Sequence, residues 1–223
     1  MQAQTQFKNF ELTAHRKDLA RFCVRYELYK EILPVKGSII ECGVHNGGGI
    51  LAWAKLSATL EPYALHRKVI GFDTFEGFPA VHDKDDSAGN STCAPGEFKP
   101  DTDSLANIQN AIQQFDENRY LSEFNKVELI KGDACQTIPI FLEENPHLVV
   151  SLLFLDFDLY EPTKVALDTL MSRIPKGGVV AFDEINNEGW PGETQAMVEY
   201  FGSLNKIEIK KYPFETNIAY IVV

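Results

Sequence analysis

Short apolar runs alternate with segments of helical periodicity along most of this 223-residue chain, and this alternation constrains the fold more than any other feature. Each of five runs has the length and apolar content of a buried strand, and a helical segment follows each one. The pattern predicts a parallel sheet with helices on both faces. The strand candidates are 38–43, 68–73, 126–133, 149–156 and 177–184, and the helix candidates are 48–60, 105–115, 137–144, 162–172 and 193–202.

The N-terminal segment, residues 1–36, is predicted to be helical. Apolar residues recur at helical spacing from Asp18 to Leu33, and Pro34 then stops the helix. We expect this helix to pack on its own domain, with a homodimer contact through its exposed face as the alternative. The apolar stripe consists of Leu19, Phe22, Cys23, Tyr26, Tyr29 and Leu33.

The rest of the chain is consistent with one domain over residues 1–223. Its length suits a single sizeable core, and no repeat or interdomain linker interrupts it. Two last strand candidates, 206–212 and 217–223, are predicted to form a hairpin. One long segment, 74–103, lacks periodicity and is rich in Gly, Pro and Asp. Such loops are usually functional or disordered, so we expect a lid that orders over bound ligand, or a disordered loop.

The composition, 44% hydrophobic and 24% charged, is that of a soluble globular protein. A formal net charge of -11 argues against nucleic acid as a partner, because an acidic surface repels phosphate backbones. The longest apolar run, VVSLLFL, is too short to span a bilayer, and the N-terminus lacks the apolar core of a signal peptide. The four cysteines include no CxxC pair, so we expect free thiols in a cytoplasmic protein without membrane contact.

Every one of the five strand candidates ends in an acidic residue. The carboxyl ends of parallel strands meet at one edge of a sheet, and ligands bind in the crevice beyond that edge. We therefore expect these carboxylates to converge on one binding site. They are Glu41, Asp73, Asp133, Asp156 with Asp158, and Asp183 with Glu184.

The segment ECGVHNGGGI joins the first of these strands to its helix. Glycines let the backbone turn tightly near a ligand, and a helix N-terminus presents free N–H groups to an anion. NAD-binding and S-adenosylmethionine-binding proteins both use such a loop. The second glycine of GxGxxG, which admits a pyrophosphate, is absent after Gly43, and this favours S-adenosylmethionine over NAD. Asp73 is then a candidate for the ribose hydroxyls and Asp133 for the adenine amino group, while His45 contacts the ligand or is solvated.

The acids that follow the fourth and fifth strands form a second candidate half-site. A parallel sheet places these strand ends close together, and hard cations such as Mg²⁺ prefer several oxygen ligands. Without a cation, like-charge repulsion would raise the pKa of at least one carboxyl group. The pattern predicts a divalent metal site, with solvated acids as the alternative. A DxD pair also occurs in metal-dependent phosphatases and glycosyltransferases, although its place on the fourth strand argues against both.

Five segments together resemble the macrocin O-methyltransferase family, whose members use S-adenosylmethionine to methylate sugar hydroxyls of macrolide and aminocoumarin antibiotics. The resemblance runs from about Ser38 to Phe201. It implies a doubly wound methyltransferase sheet of seven mostly parallel strands, with helices on both faces and an antiparallel last strand. The segments are ECGVHNGGGI, GFDTFEGFP, KGDA, LDFDLYEPTKVALDTLMSRIPKGGVVAFDE and GWPGETQAMVEYF.

The resemblance also implies a role for each residue of the site. Asp156, Asp183 and Glu184 fall on metal ligands, and Asp158 falls on the general base. The family usually has Asp-Asp where this chain has Asp183-Glu184. The extra methylene of Glu184 means that the metal position shifts or that Glu184 binds through water. The cofactor-binding positions are Glu41, Gly43, His45, Gly47, Asp73, Thr74, Asp133 and Ala134.

These residues predict an S-adenosylmethionine-dependent O-methyltransferase that acts on a small-molecule hydroxyl with Mg²⁺ or another divalent cation. The expected acceptor is a sugar of a natural product or glycan, and a catechol or other phenol is the alternative. A non-catalytic S-adenosylmethionine-binding module is a further alternative. The intact acid cluster argues against it, because a sensor has no need of a metal.

Overall fold

Seven strands form one sheet in the part of the chain that the computed structural model describes, residues 10–86, 93–100 and 104–223. They are β1 (Ser38–Cys42), β2 (Val69–Asp73), β3 (Val127–Lys131), β4 (Val150–Leu155), β5 (Val179–Phe182), β6 (Lys210–Tyr212) and β7 (Glu215–Val222). The sheet order is β3-β2-β1-β4-β5-β7-β6. Strands β1 to β5 run parallel, and β7 is antiparallel to both β5 and β6. The predicted fold class is confirmed.

Helices cover both faces of the sheet. They are α1 (Phe10–Thr13), α2 (Arg16–Ile32), α3 (Gly48–Leu60), α4 (Ser104–Asp116), α5 (Ala134–Glu144), α6 (Tyr160–Leu170) and α7 (Pro191–Phe201), with 3-10 turns at Asp83–Asp85, Met171–Arg173 and Leu204–Lys206. One core lies between the sheet and α2, α3 and α4, and a second lies between the sheet and α5, α6 and α7. No helix of the described ranges is long and apolar enough to cross a membrane.

The largest differences from the predicted element boundaries have local causes. Helix α5 begins at Ala134, three residues before the prediction, because the Asp133 side chain accepts a hydrogen bond from the Cys135 N–H at 2.9 Å and caps the helix. Strand β6 is shorter than the predicted 206–212, because a 3-10 turn occupies Leu204–Lys206.

Helix α2 packs on the sheet with a different face from the predicted one. Leu19, Phe22, Tyr26 and Leu33 of the predicted stripe are 38–47% exposed, whereas Tyr29 is fully buried. The prediction misses a second apolar row at helical spacing, because Val24, Leu28 and Ile32 recur every four residues and all three are fully buried. The buried residues of α2 are Val24, Arg25, Leu28, Tyr29 and Ile32.

The chain reverses its direction of travel across the sheet at β1, since β2 lies on one side of β1 and β4 on the other. A ligand crevice opens beyond the carboxyl ends of strands at such a switch point. Backbone hydrogen bonds hold the two strand ends together there, because Asp156 N–H donates to the Cys42 carbonyl at 2.8 Å. Gly43 follows with a φ of 91°, so close to β4 that an added methyl group would lie 1.9 Å from the Asp156 carbonyl oxygen.

The predicted lid, residues 74–103, lies partly outside the described residues. Several hydrogen bonds hold its described part in place. Asp85 accepts hydrogen bonds from the Tyr160 N–H at 2.6 Å and the His82 N–H at 2.9 Å. Phe78 N–H donates to the Glu97 carbonyl at 3.0 Å, which brings the two described stretches together. A lid role for this segment, and a single domain over the whole chain, stay predictions.

We expect Gly43→Ala to destabilise the protein by about 3 kcal/mol or more, because the new methyl group collides with backbone that cannot move. Urea unfolding measures the change. Gly96→Ala is the matched control, since Gly96 has a φ of 85° and its added methyl group meets no atom within 4 Å. That variant isolates backbone strain, about 1 kcal/mol. Equal losses of unfolding free energy in Gly43→Ala and Gly96→Ala would contradict the argument that the new methyl group collides with the backbone.

Candidate active site

A cavity of about 700 Å³ lies at the carboxyl edge of the parallel strands. All seven strand-end acids line it, so the predicted convergence of these carboxylates is observed. Of the other predicted positions, Gly43, His45, Thr74 and Ala134 line the cavity as well. Gly47 is not part of the lining; it is the N-cap residue before α3, with a φ of 80°, and it faces the Ile108 side chain.

Asp73 shapes the glycine loop from the end of β2. One carboxylate oxygen accepts hydrogen bonds from the Val44 N–H at 2.8 Å and the His45 N–H at 2.7 Å. The other oxygen accepts from the Phe75 N–H at 2.6 Å. A carboxylate offers about four acceptor sites, so one is left for a ligand hydroxyl. Asp73 therefore positions the loop and still presents an acceptor to the cavity.

Glu41 is a buried acid under the first turn of α3. Its carboxyl group touches Gly49, where an added methyl group would lie 1.7 Å from Oε1. Oε2 is buried without a hydrogen-bond partner. Burial raises the pKa of Glu41 to about 8, against the opposing effect of Arg25 and Arg21. A buried acid of this kind gains from a cationic ligand.

Three acids form a tight cluster at the other end of the cavity. Asp156, Asp158 and Asp183 each offer a carboxylate oxygen, and these oxygens lie within 4.8 Å of one another. Burial, followed by the charges of Asp183 and Glu184, raises the pKa of Asp158 to about 8. The pKa of Asp156 is also raised well above its usual value, by burial and then by Asp183.

Arg21 of α2 already places a cation in this cluster. One nitrogen, Nη2, lies 2.8 Å from Asp183 Oδ1 and 3.3 Å from Asp156 Oδ2. Burial lowers the pKa of Arg21, but the two carboxylates raise it by more. The guanidinium thus occupies the position between Asp156 and Asp183 that a divalent cation would take, and its single positive charge offsets part of their negative charge.

Glu184 points away from the three-acid cluster. Its carboxylate accepts a hydrogen bond from the Asn187 side chain, and its backbone N–H donates to Glu193 at 3.0 Å. Glu193 of α7 is fully buried, and burial raises its pKa well above the usual value. A direct metal bond from Glu184 would require its side chain to turn, so this ligand stays a prediction.

Aromatic side chains form one wall of the cavity. Phe78, Phe98 and Trp190 lie in mutual contact, with ring centroids 5.3 to 6.0 Å apart. All three line the cavity, whereas Phe75 is buried in the core. Such a wall suits the apolar face of a sugar or a flat ring.

Sequence reasoning missed the contribution of α2 to this site. Arg21 and Arg25 both line the cavity, four residues apart on one helix face. Their spacing of four residues could have indicated that both arginines share one face of the helix. That face was not expected to be buried, because the buried face of a helix is usually apolar. Asp18 and Phe22 of α2 line the cavity too, as does Phe98.

A family model described as macrocin-O-methyltransferase (TylF) matches residues 16–211. The chain belongs to the macrocin O-methyltransferase family. The resemblance inferred from five sequence segments is thereby confirmed, and the match reaches back to the start of α2.

Solved structures are also similar to this chain. The crystal structure of CalS11, calicheamicin methyltransferase, has a TM-score of 0.94 at 33% identity, covering 99% of this chain and 85% of that one. An apo structure titled CalS11, TDP-rhamnose 3'-O-methyltransferase, has a TM-score of 0.83 at 31% identity over 98% of this chain and 86% of that one. The O-methyltransferase NovP shares the fold, with a TM-score of 0.66 at 21% identity over 91% and 79%.

A curated relative is 8-demethyl-8-(2,3-dimethoxy-alpha-L-rhamnosyl)-tetracenomycin-C 4'-O-methyltransferase from Streptomyces olivaceus. It is 26% identical over 174 residues, which cover 76% of this chain. The chain spans 59% of the length of that relative.

Glu41 makes the stability of the ligand-free protein depend on pH. Its folded-state pKa is raised to about 8, so stability is lost as the pH rises from the unfolded-state value toward 8. Glu41→Gln lacks this loss. We expect the variant to gain on the order of 2–3 kcal/mol relative to wild type between pH 5 and pH 8.

Chemical unfolding at several pH values measures the difference. Glu128→Gln is the control, because Glu128 lies on β3 and is exposed. Parallel pH profiles for wild type and Glu41→Gln would show that Glu41 is not a strained buried acid.

Proposed function

We propose that this protein is an S-adenosylmethionine-dependent O-methyltransferase that methylates a hydroxyl group of a small-molecule sugar. The observation that carries the proposal is one cavity with a glycine-loop half and an acid-cluster half. Membership of the macrocin O-methyltransferase family and the 31% identity to a TDP-rhamnose 3'-O-methyltransferase support it. The aromatic wall of Phe78, Phe98 and Trp190 supports an acceptor with an apolar face.

The cofactor would lie along the carboxyl ends of β1, β2 and β3. Glu41 faces the methionine end, Asp73 the ribose and Asp133 the adenine. Asp133 uses Oδ1 to cap α5, which leaves Oδ2 for a donor such as the adenine amino group. The absence of a second loop glycine fits a ligand without a pyrophosphate.

The acid cluster fits a divalent cation. Asp156, Asp158 and Asp183 supply clustered hard oxygen donors, and the Arg21 guanidinium shows that a positive charge is stable between two of them. Asp156 and Asp183 would hold Mg²⁺, with Glu184 as a further candidate ligand. When bound, Mg²⁺ supplies a positive charge that lowers the pKa of a nearby hydroxyl group.

Asp158 is the proposed general base. Its raised pKa lies close to neutral pH, where a carboxylate is a more effective proton acceptor than an ordinary aspartate. As the acceptor oxygen forms its bond to the methyl carbon, the carbon–sulfur bond breaks and its electrons return to sulfur. The hydroxyl proton passes to Asp158. The products are the methyl ether and the neutral thioether S-adenosylhomocysteine.

We expect Asp158→Asn to bind S-adenosylhomocysteine within about threefold of wild type but to turn over at least about 100-fold more slowly, because an amide accepts no proton. Turnover is measured as the mass gain of one methyl group on TDP-rhamnose and on a free rhamnoside. Comparing the two substrates distinguishes a nucleotide-linked sugar acceptor from a glycosidic one. A fully active Asp158→Asn enzyme would refute the base assignment. Transfer to a catechol but to neither sugar would replace the proposed acceptor class.

Arg21 and a divalent cation compete for the same carboxylates, so Arg21→Gln is expected to tighten Mn²⁺ binding about tenfold or more. Calorimetric titration with Mn²⁺ in the absence of substrate measures the affinity directly. Arg16→Gln on the same helix is the control, because Arg16 is exposed. Unchanged Mn²⁺ affinity in Arg21→Gln would mean that the cation binds elsewhere.

A further inference from the structure

Arg25 is a buried cation without a carboxylate partner. It lies on the sheet-facing side of α2 and is 8% exposed. Its guanidinium carbon lies 5.4 Å from the Phe154 ring centroid and 5.9 Å from that of Trp53. The side chain makes no hydrogen bond or ion pair with any described residue, and its Nε is fully buried. A guanidinium has five N–H donors, and leaving a buried donor such as Nε without a partner is costly.

Glu41 is the corresponding buried acid. It is 1% exposed, and its Oε2 lacks a hydrogen-bond partner. Arg25 lowers the pKa of Glu41, so the two charges interact, yet they form no ion pair with each other. Both residues line the cavity at the end where the glycine loop enters α3. A buried cation and a buried acid therefore line the same cavity without forming an ion pair with each other.

The amino-acid end of S-adenosylmethionine has the complementary pair of charges, an α-ammonium and an α-carboxylate. We propose that Arg25 binds the α-carboxylate of the methionine part of the cofactor, opposite Glu41, which binds the α-ammonium group. The guanidinium fork matches a carboxylate and makes charge-assisted hydrogen bonds to it. The inference rests on the proposed function, because it assigns a further residue to the same cofactor site.

Other donors in the cavity fit the carboxylate less well. Arg21 lies one helical turn away, but its Nη2 is engaged by Asp156 and Asp183 at the acid cluster. The first-turn N–H groups of α3 are the remaining candidate, since a helix N-terminus also attracts anions. Binding of the carboxylate by these N–H groups would leave the buried guanidinium of Arg25 without a partner, whereas binding by Arg25 provides one.

Two ligands distinguish binding of the α-carboxylate from binding of the α-ammonium group. S-adenosylhomocysteine has both charged groups, and its decarboxylated analogue S-adenosyl-3-thiopropylamine keeps only the ammonium group. We expect Arg25→Met to weaken S-adenosylhomocysteine about 10- to 100-fold and to leave the analogue unchanged within about threefold. Glu41→Gln is expected to weaken both ligands. Calorimetric titration of the purified full chain gives each dissociation constant.

Two variants on the same helix complete the test. Arg16→Met is the matched control and should change neither affinity. Arg25→Lys keeps the charge but loses the fork, so it should weaken S-adenosylhomocysteine by about 3- to 10-fold and spare the analogue. If Arg25→Met does not fold, the affinities of Arg25→Lys for the two ligands test the proposal.

Equal losses for both ligands, or no loss for either, in a folded Arg25 variant would overturn the proposal. The first outcome would assign Arg25 a structural role, and the second would assign the carboxylate to the N-terminus of α3. Failure of the folded wild-type protein to bind either ligand would instead refute the proposed function itself.

Discussion

Crowding of carboxylates at one edge of the sheet is the constraint on which the rest of this structure depends. Parallel strands bring Glu41, Asp156, Asp158 and Asp183 to the same cavity, where burial raises the pKa of most of them. Like charges at this density are stable only beside cations or as neutral acids. Helix α2 supplies cations at this edge, because Arg21 and Arg25 both line the cavity.

The two arginines of α2 meet this requirement in different ways. Arg21 forms ion pairs with Asp156 and Asp183, so one cation offsets part of the charge of the acid cluster. Arg25 and Glu41 stay apart, each without a hydrogen-bond partner in the described chain. One end of the cavity thus contains an ion-paired arginine, whereas the other end contains an arginine and a glutamate without partners among the described residues. A bound cofactor would pair with Arg25 and Glu41, and a divalent cation at the acid cluster would have to displace the Arg21 guanidinium.

The glycine loop shows how backbone shape and charge depend on each other. Gly43 lets β1 and β4 come together, and Gly49 leaves room for the Glu41 carboxyl group under α3. Asp73 then fixes the loop by accepting hydrogen bonds from the backbone N–H groups of Val44 and His45. Larger side chains at these glycines would separate the strand ends and displace the acids. The same residues therefore determine both the packing of the switch point and the geometry of the site.

The sequence by itself determined the seven strands, the order of helices and the convergence of the acids. These follow from local periodicity and from the rule that parallel strands end at one edge. Only the tertiary structure decided which face of α2 is buried, that Arg21 and Arg25 enter the cavity, and that Glu184 turns toward Asn187. The carboxylates that Arg21 contacts lie more than 100 positions away in the sequence, so no local rule contains those partners.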